Sequence, residues 1–162
     1  MTKKDFEPLL DVKSVLPVLN KISILGGLSD DQLYSIFRLL NCATYAANDI
    51  IFDQGEDATH IYIVLSGMIK MVTELDETPM ELEVFGAGRC FGETAVIGIQ
   101  PHSATAYVIE DSEILILPRD ALLSIYERDK TLFGLLILNI AREACRRLHH
   151  TQEVSLHYAL HS

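Results

Sequence analysis

The residues whose types and spacing suit them to chemistry run from Phe85 to Ala106. Gly86 and Gly88 make a glycine-rich turn, Phe91-Gly92-Glu93 follows, and Gly98, Gln100 and Pro101 cut the next segment to one or two helical turns. The first N–H groups of a helix have no partner inside it, and the aligned peptide dipoles leave positive potential there. With no side chain on Gly92 to hinder approach, the stretch reads as a cradle for a small anion. The chain then enters an apolar alternating run at Ala104. His102, beside that run, offers an imidazole that is mostly neutral at pH 7, its reference pKa being about 6.5. Arg89 can swing toward the cradle or stay solvated on its turn.

Other groups are fainter. Cys145 and His149 stand four apart, as do His157 and His161, which is the spacing of metal ligands on one helix face. No second shell supports them, and solvated tail histidines are the plainer reading. Cys90 precedes Gly92 by two residues, where the positive end of a short helix can acidify a thiol; a packed loop thiol is the plainer alternative. Three cysteines, odd in number and with no close pair, argue for reduced thiols. The sequence has no nucleophile–base motif, Walker loop or His-Glu-x-x-His, and no metal or cofactor is expected. A net charge of −10 argues against nucleic acid as a partner, because that affinity rests on neutralising phosphates. It leaves room for one anionic ligand in a locally positive pocket.

The elements that must position these residues follow from periodicity. A length of 162 residues fits one domain with a real core. The N-terminus carries no signal pattern, and no apolar run approaches the roughly 18 residues of a membrane span. The longest, Thr131 to Ala141, is interrupted by Asn139, so a cytoplasmic protein without a membrane partner is expected. Residues 1–45 read as helical: Val12, Val15, Leu16 and Leu19 have helical spacing, and Ser29 with Gln32 forms a capping-box variant before Leu33, Ile36, Phe37 and Leu40. Residues 46–118 switch to period two, in short strands at roughly 8–12-residue spacing, which indicates a small sandwich or barrel. Turns are expected at Gln54–Asp57, Ser66-Gly67, Asp76–Pro79 and Glu110–Ser112. Residues 119–162 return to helix, with a long one from about Asp129 to His150 or beyond and a polar tail. That helix is apolar on two sides and so is buried on two sides. One stripe is Phe133, Ile137, Ile140, Ala144 and Leu148; the other is Leu135, Leu138, Ala141 and Cys145. One covers the barrel and the other a twin copy, or both are clamped within one chain.

The layout of 85–106 resembles the phosphate-binding cassette of the cyclic nucleotide-binding domain family: Phe-Gly-Glu, a short helix, then Pro-Arg-Ser/Ala-Ala. Here Phe-Gly-Glu stands at 91–93 and Pro-x-Ser-Ala at 101–104, with His102 in the arginine's place. The segment from Phe52 to Gly67 and the entry helix around Leu28–Leu33 are also similar to the family, so the likeness covers about residues 12–150. It is to the ligand-binding domain of cAMP receptor protein-type regulators, without the helix-turn-helix domain. The resemblance implies a mainly β fold, a double-stranded β-helix (jelly-roll) barrel with N-terminal helices and a long C-terminal helix. It implies that amides of Gly92, Glu93, Thr94 and Ala95 hold a cyclic phosphate, that Glu93 accepts a hydrogen bond from a ribose 2′-hydroxyl, and that Ser103, beside Ala104, adds a hydroxyl. An arginine at 102 would supply a bidentate charged fork. Losing such a partner costs roughly 2–5 kcal/mol, or about 30- to several-thousand-fold in affinity. The expectation is weak binding of cyclic AMP, cyclic GMP or another small anion, strengthening as pH falls through the titration of His102. The alternative is that Phe91-Gly92-Glu93 persists only as a fold element, with Phe91 in the core and Glu93 capping nearby amides, in a dimerisation or protein-interaction module without ligand. The family does not hydrolyse its ligand, so the resemblance implies no enzyme activity. Related regulators dimerise through the long helix, so a homodimer is expected. The few residues after that helix leave no room for a DNA-binding domain, so the output is expected to pass to a protein partner.

Overall fold

The computed structural model describes residues 5–161; the first four residues of the expected N-terminal segment and Ser162 of the expected tail lie outside them. Period-two patterning over 46–118 becomes strands β3 (Ile50–Phe52), β4 (His60–Leu75), β5 (Thr78–Phe85), β6 (Cys90–Phe91) and β7 (Thr105–Pro118), and two further strands, β1 (Glu7–Pro8) and β2 (Asn41–Tyr45), form in the segment expected to be helical. They pair antiparallel in the order β1-β2-β7-β4-β5, with β3 also on β7 and β6 also on β4. This is the expected jelly roll. Its helices are α1 (Asp30–Phe37), α2 (Glu93–Gly98), α3 (Arg119–Arg128) and α4 (Lys130–His161).

Two cores explain why β4 and β7 are apolar on both faces. Tyr62, Val64, Ile114 and Ile116 point into the barrel, where they meet Phe52, Phe85 and Phe91. Ile61, Ile63, Leu115 and Leu117 point outward onto a second cluster with Ile36, Leu122, Leu132, Leu136 and Ile140 from the helices. β4 and β7 are each continuous where two strands and a turn were expected. At Ser66-Gly67 the register shifts instead of turning, so β4 bends past β7. Gly67 has φ 97°, and a Cβ there would collide with Ser112, so only glycine fits the bend.

The expected helical start is mostly 3-10 turns, at Val12–Ser14, Leu16–Lys21 and Ser23–Leu25, and Asn41–Tyr45 is strand β2. Pro17 lies in the first turn of the second, where its missing donor is tolerated. Ala43 and Tyr45 alternate inward against β7, and that pairing sets the conformation. The capping box of α1 forms as expected: Gln32 N–H donates to Ser29 Oγ (3.2 Å) and Ser29 N–H to Gln32 Oε1 (2.9 Å).

α4 is one helix to His161, with no break at a tail. Its buried stripe is Leu132, Leu136, Asn139, Ile140 and Glu143. Asn139 Nδ2 donates to the carbonyls of Ile24 (3.1 Å) and Gly26 (2.9 Å), docking α4 on the last 3-10 turn. Of the two expected stripes, the first meets the body through Phe133, Ile137 and Ile140 but leaves Leu148 exposed; the second leaves Leu138, Ala141 and Cys145 exposed. Among the described residues no helix is long and apolar enough to cross a membrane.

Candidate functional site

β6 runs into Gly92, which caps α2 with φ 81°, a conformation that side-chain-bearing residues rarely adopt. A Cβ there would face His60 O and Tyr62 at 3.3 Å and His102 Cε1 at 3.5 Å, so the bare α-carbon keeps the mouth of the barrel open. The segment after α2 is laced to the 54–57 turn: Gly55 N–H donates to His102 O (2.8 Å), His102 N–H to Glu56 O (2.9 Å), and Asp57 bridges Pro101. Thr73 Oγ1 donates to Ser103 O (2.9 Å), tying the same segment to β4. These bonds bring Gly92, Thr94, Ala95, His102, Ser103 and Ala104 around one cavity of about 150 Å³, whose apolar floor is Phe52, Met71, Phe85 and Phe91.

Glu93 faces inward. It is 1% exposed and forms an ion pair with Arg147 of α4. Oε2 of Glu93 is buried and accepts no hydrogen bond, so the carboxylate does not cap nearby amides as the fold-element alternative supposed. Phe91 does lie in the core. Arg147 lines the cavity with its guanidinium carbon 5.5 Å from the Phe85 ring centre. Burial pulls its pKa below arginine's ordinary value, but from so high a start that the charge persists at neutral pH. Arg147 was invisible to sequence reading. Nothing in its spacing links it to residues more than fifty positions earlier, and only the docking of α4 brings it here.

His102 corrects a second expectation. Its ring stacks on Phe52 with centroids 3.6 Å apart and an interplanar angle of 10°, and it is 5% exposed. Burial pushes its pKa down to about 4. The imidazole is therefore neutral across pH 5.5–8 and brings no titrating charge to the cavity, contrary to the expected strengthening of binding over that range. Arg89 stays partly exposed on its turn, held by two carboxylates instead of swinging inward. It donates to Glu83 (2.8 Å) and to Glu143 (3.2 Å), and Glu143 also accepts from Ser23 Oγ (2.6 Å). Cys90 is fully buried and burial drives its pKa up to about 12, so the thiol is not acidified by α2. Among the described residues no group of three or more His, Cys, Asp or Glu can hold a metal ion; His149 instead pairs with Glu153 (3.2 Å), and His157 stacks on His161 (4.2 Å).

Residues 43–129 match the family described as "Cyclic nucleotide-binding domain". The chain belongs to that family. As a member of the cyclic nucleotide-binding domain family, it is similar to several curated proteins. The Cyclic AMP receptor protein of Thermus thermophilus is 29% identical over 77% of this chain and 56% of its own length. The Potassium channel KAT2 of rice is 25% identical over 79% of this chain and 21% of its own length, and the cGMP-dependent protein kinase egl-4 of Caenorhabditis elegans 31% identical over 64% and 14%. The chain thus spans between about a seventh and just over half of these relatives. Among solved structures, a cyclic nucleotide-binding domain from Methylobacillus flagellatus superposes with a TM-score of 0.80 at 19% identity, covering 89% of this chain and 82% of that one. The Thermus thermophilus Catabolite Activator Protein gives 0.73 at 28% identity, covering 83% and 62%.

Proposed function

We propose that this chain is a regulatory domain that binds a cyclic nucleotide, cyclic AMP or cyclic GMP, and signals occupancy through α3 and α4 to a protein partner. One observation carries the reading: Gly92, Thr94, Ala95 and Ser103 line a cavity at the barrel mouth that also holds a guanidinium. A cyclic phosphate fits the polar side of such a site and a base the aromatic floor. The domain binds its ligand without turning it over, as the family resemblance implies. The affinity is weakened by His102, which replaces a charged fork with a neutral ring. α2 communicates with α3 through Arg119, whose guanidinium donates to the carbonyls of Ala58 (2.6 Å) and Val96 (3.3 Å). The chain acts as a homodimer through α4.

Calorimetry and thermal melting with cyclic AMP, cyclic GMP and inorganic phosphate test this. Selective binding to the folded state at a hundredfold excess over Kd raises the melting temperature by about 5–10 °C for a domain of this size. A second reading, a docking module without ligand, is favoured by the Glu93–Arg147 pair, which occupies polar capacity a ligand would use. No shift with either nucleotide at millimolar concentration would establish that reading instead.

A further inference from the structure

The charge at the barrel mouth comes from α4. Among the described residues lining the cavity Arg147 is the one cation, since His102 is neutral, and Arg89 is held outside by two carboxylates. Arg147 Nε is buried and meets no acceptor, while Glu93 Oε2 beside it is buried and meets no donor. Beyond their ion pair, the two adjacent side chains thus keep buried polar atoms without hydrogen-bond partners, and unmet groups of this kind are costly in a low-dielectric site. A ligand carrying both an anionic oxygen and a hydroxyl completes both; a neutral ligand completes only the acceptor. Position is fixed one helical turn earlier, where Glu143 is held by Ser23 and Arg89, so that the next turn of α4 delivers Arg147 over the opening.

Resting on the cyclic nucleotide reading, we propose that Arg147 takes the ligand's phosphate in place of the arginine absent at position 102. Binding draws the guanidinium off Glu93 and leaves that carboxylate for the ligand's hydroxyl. α4 then belongs to the binding site itself.

Calorimetry on the full chain with cyclic AMP and with the neutral nucleoside adenosine decides the matter. Arg147→Gln should weaken cyclic AMP by about 30-fold or more while changing adenosine by less than about threefold, as expected for loss of one charged partner. Arg147→Lys, which keeps the charge and guards against misfolding, should cost cyclic AMP about 5- to 20-fold, because an ammonium lacks the planar fork. Placing His102→Arg in the Arg147→Gln background should restore most of the lost affinity, since both arginines would serve one phosphate. If both Arg147 variants bind cyclic AMP as the parent does, or lose adenosine equally, the role of Arg147 is overturned while the cyclic nucleotide reading stands. If the unaltered chain binds neither cyclic nucleotide at millimolar concentration, that reading falls and this assignment falls with it.

Discussion

At the scale of single residues, His102 shows how the same side chain is read differently before and after its neighbours are known. An imidazole next to an anion cradle invites a titration near neutrality. Stacked on Phe52 and cut off from water, it titrates near 4 instead. The consequence falls on stability. The unfolded chain binds a proton at about 6.5 and the folded one only at about 4, so the unfolded state holds more protons between those values. Stability is therefore undiminished above pH 6.5 and falls as pH drops from 6.5 to 4, by up to about 3 kcal/mol. Denaturant melts of the unaltered chain and of His102→Gln, compared from pH 7.5 to 4, should show a shallower acid decline in the variant; parallel declines would mean that His102 is not buried as neutral imidazole. Cyclic AMP affinity, by contrast, should stay within about twofold between pH 5.5 and 8, because no group lining the cavity with a resolved pKa shift titrates there.

At the scale of elements, the site depends on how α4 is seated. Asn139 donates to the buried carbonyl of Ile24 in the last 3-10 turn and to the carbonyl of Gly26 at its end. Asn139→Ala removes both bonds and should destabilise the fold by about 2–3 kcal/mol, read as a lower denaturant midpoint at unchanged slope. Asn139→Asp should be worse, since a carboxylate cannot donate to either carbonyl. These dockings also decide how much could be read from the sequence. The capping box of α1, the period-two run and the apolar first half of α4 are local patterns, and each survives folding because it repeats over neighbouring residues. β2 was misread because Asn41–Tyr45 is too short to show its period, and its conformation is set by β7, some seventy residues away. Part of the cavity lining was legible because Gly92, Thr94, His102 and Ser103 sit close together in one stretch. Its cation was not, because Arg147 reaches the cavity only through the packing of α4, and the burial of His102 depends equally on Phe52 from β3.

At the scale of the whole molecule, the length of α4 poses the remaining question. A helix of 32 residues spans about 48 Å, more than the barrel can cover. Past Arg147 every residue whose side chain is described is exposed, including Leu148, Leu156, Tyr158 and Leu160. The exposed outer stretch, residues 148–161, is short enough to be marginal as a solvated helix on its own, which is the ground for the proposed homodimer. Leu138, Ala141, Cys145 and Leu148 are all exposed and alternate in steps of three and four, the repeat of a two-helix seam. In the proposed homodimer, a second copy laid along that seam would cover the outer half of α4 and place each Arg147 one residue from the interface, coupling ligand binding to dimer geometry. Sedimentation at micromolar concentration should give twice the monomer mass, and Leu138→Glu with Leu148→Glu should halve it while leaving the barrel's melting intact. In that monomer the amides of residues 148–161 should exchange with solvent at unprotected rates, because a helix stripped of its partner frays from its free end. A parent chain that sediments as a monomer, with those amides still protected, would remove the second copy from the account and require the outer half of α4 to be held by some other partner.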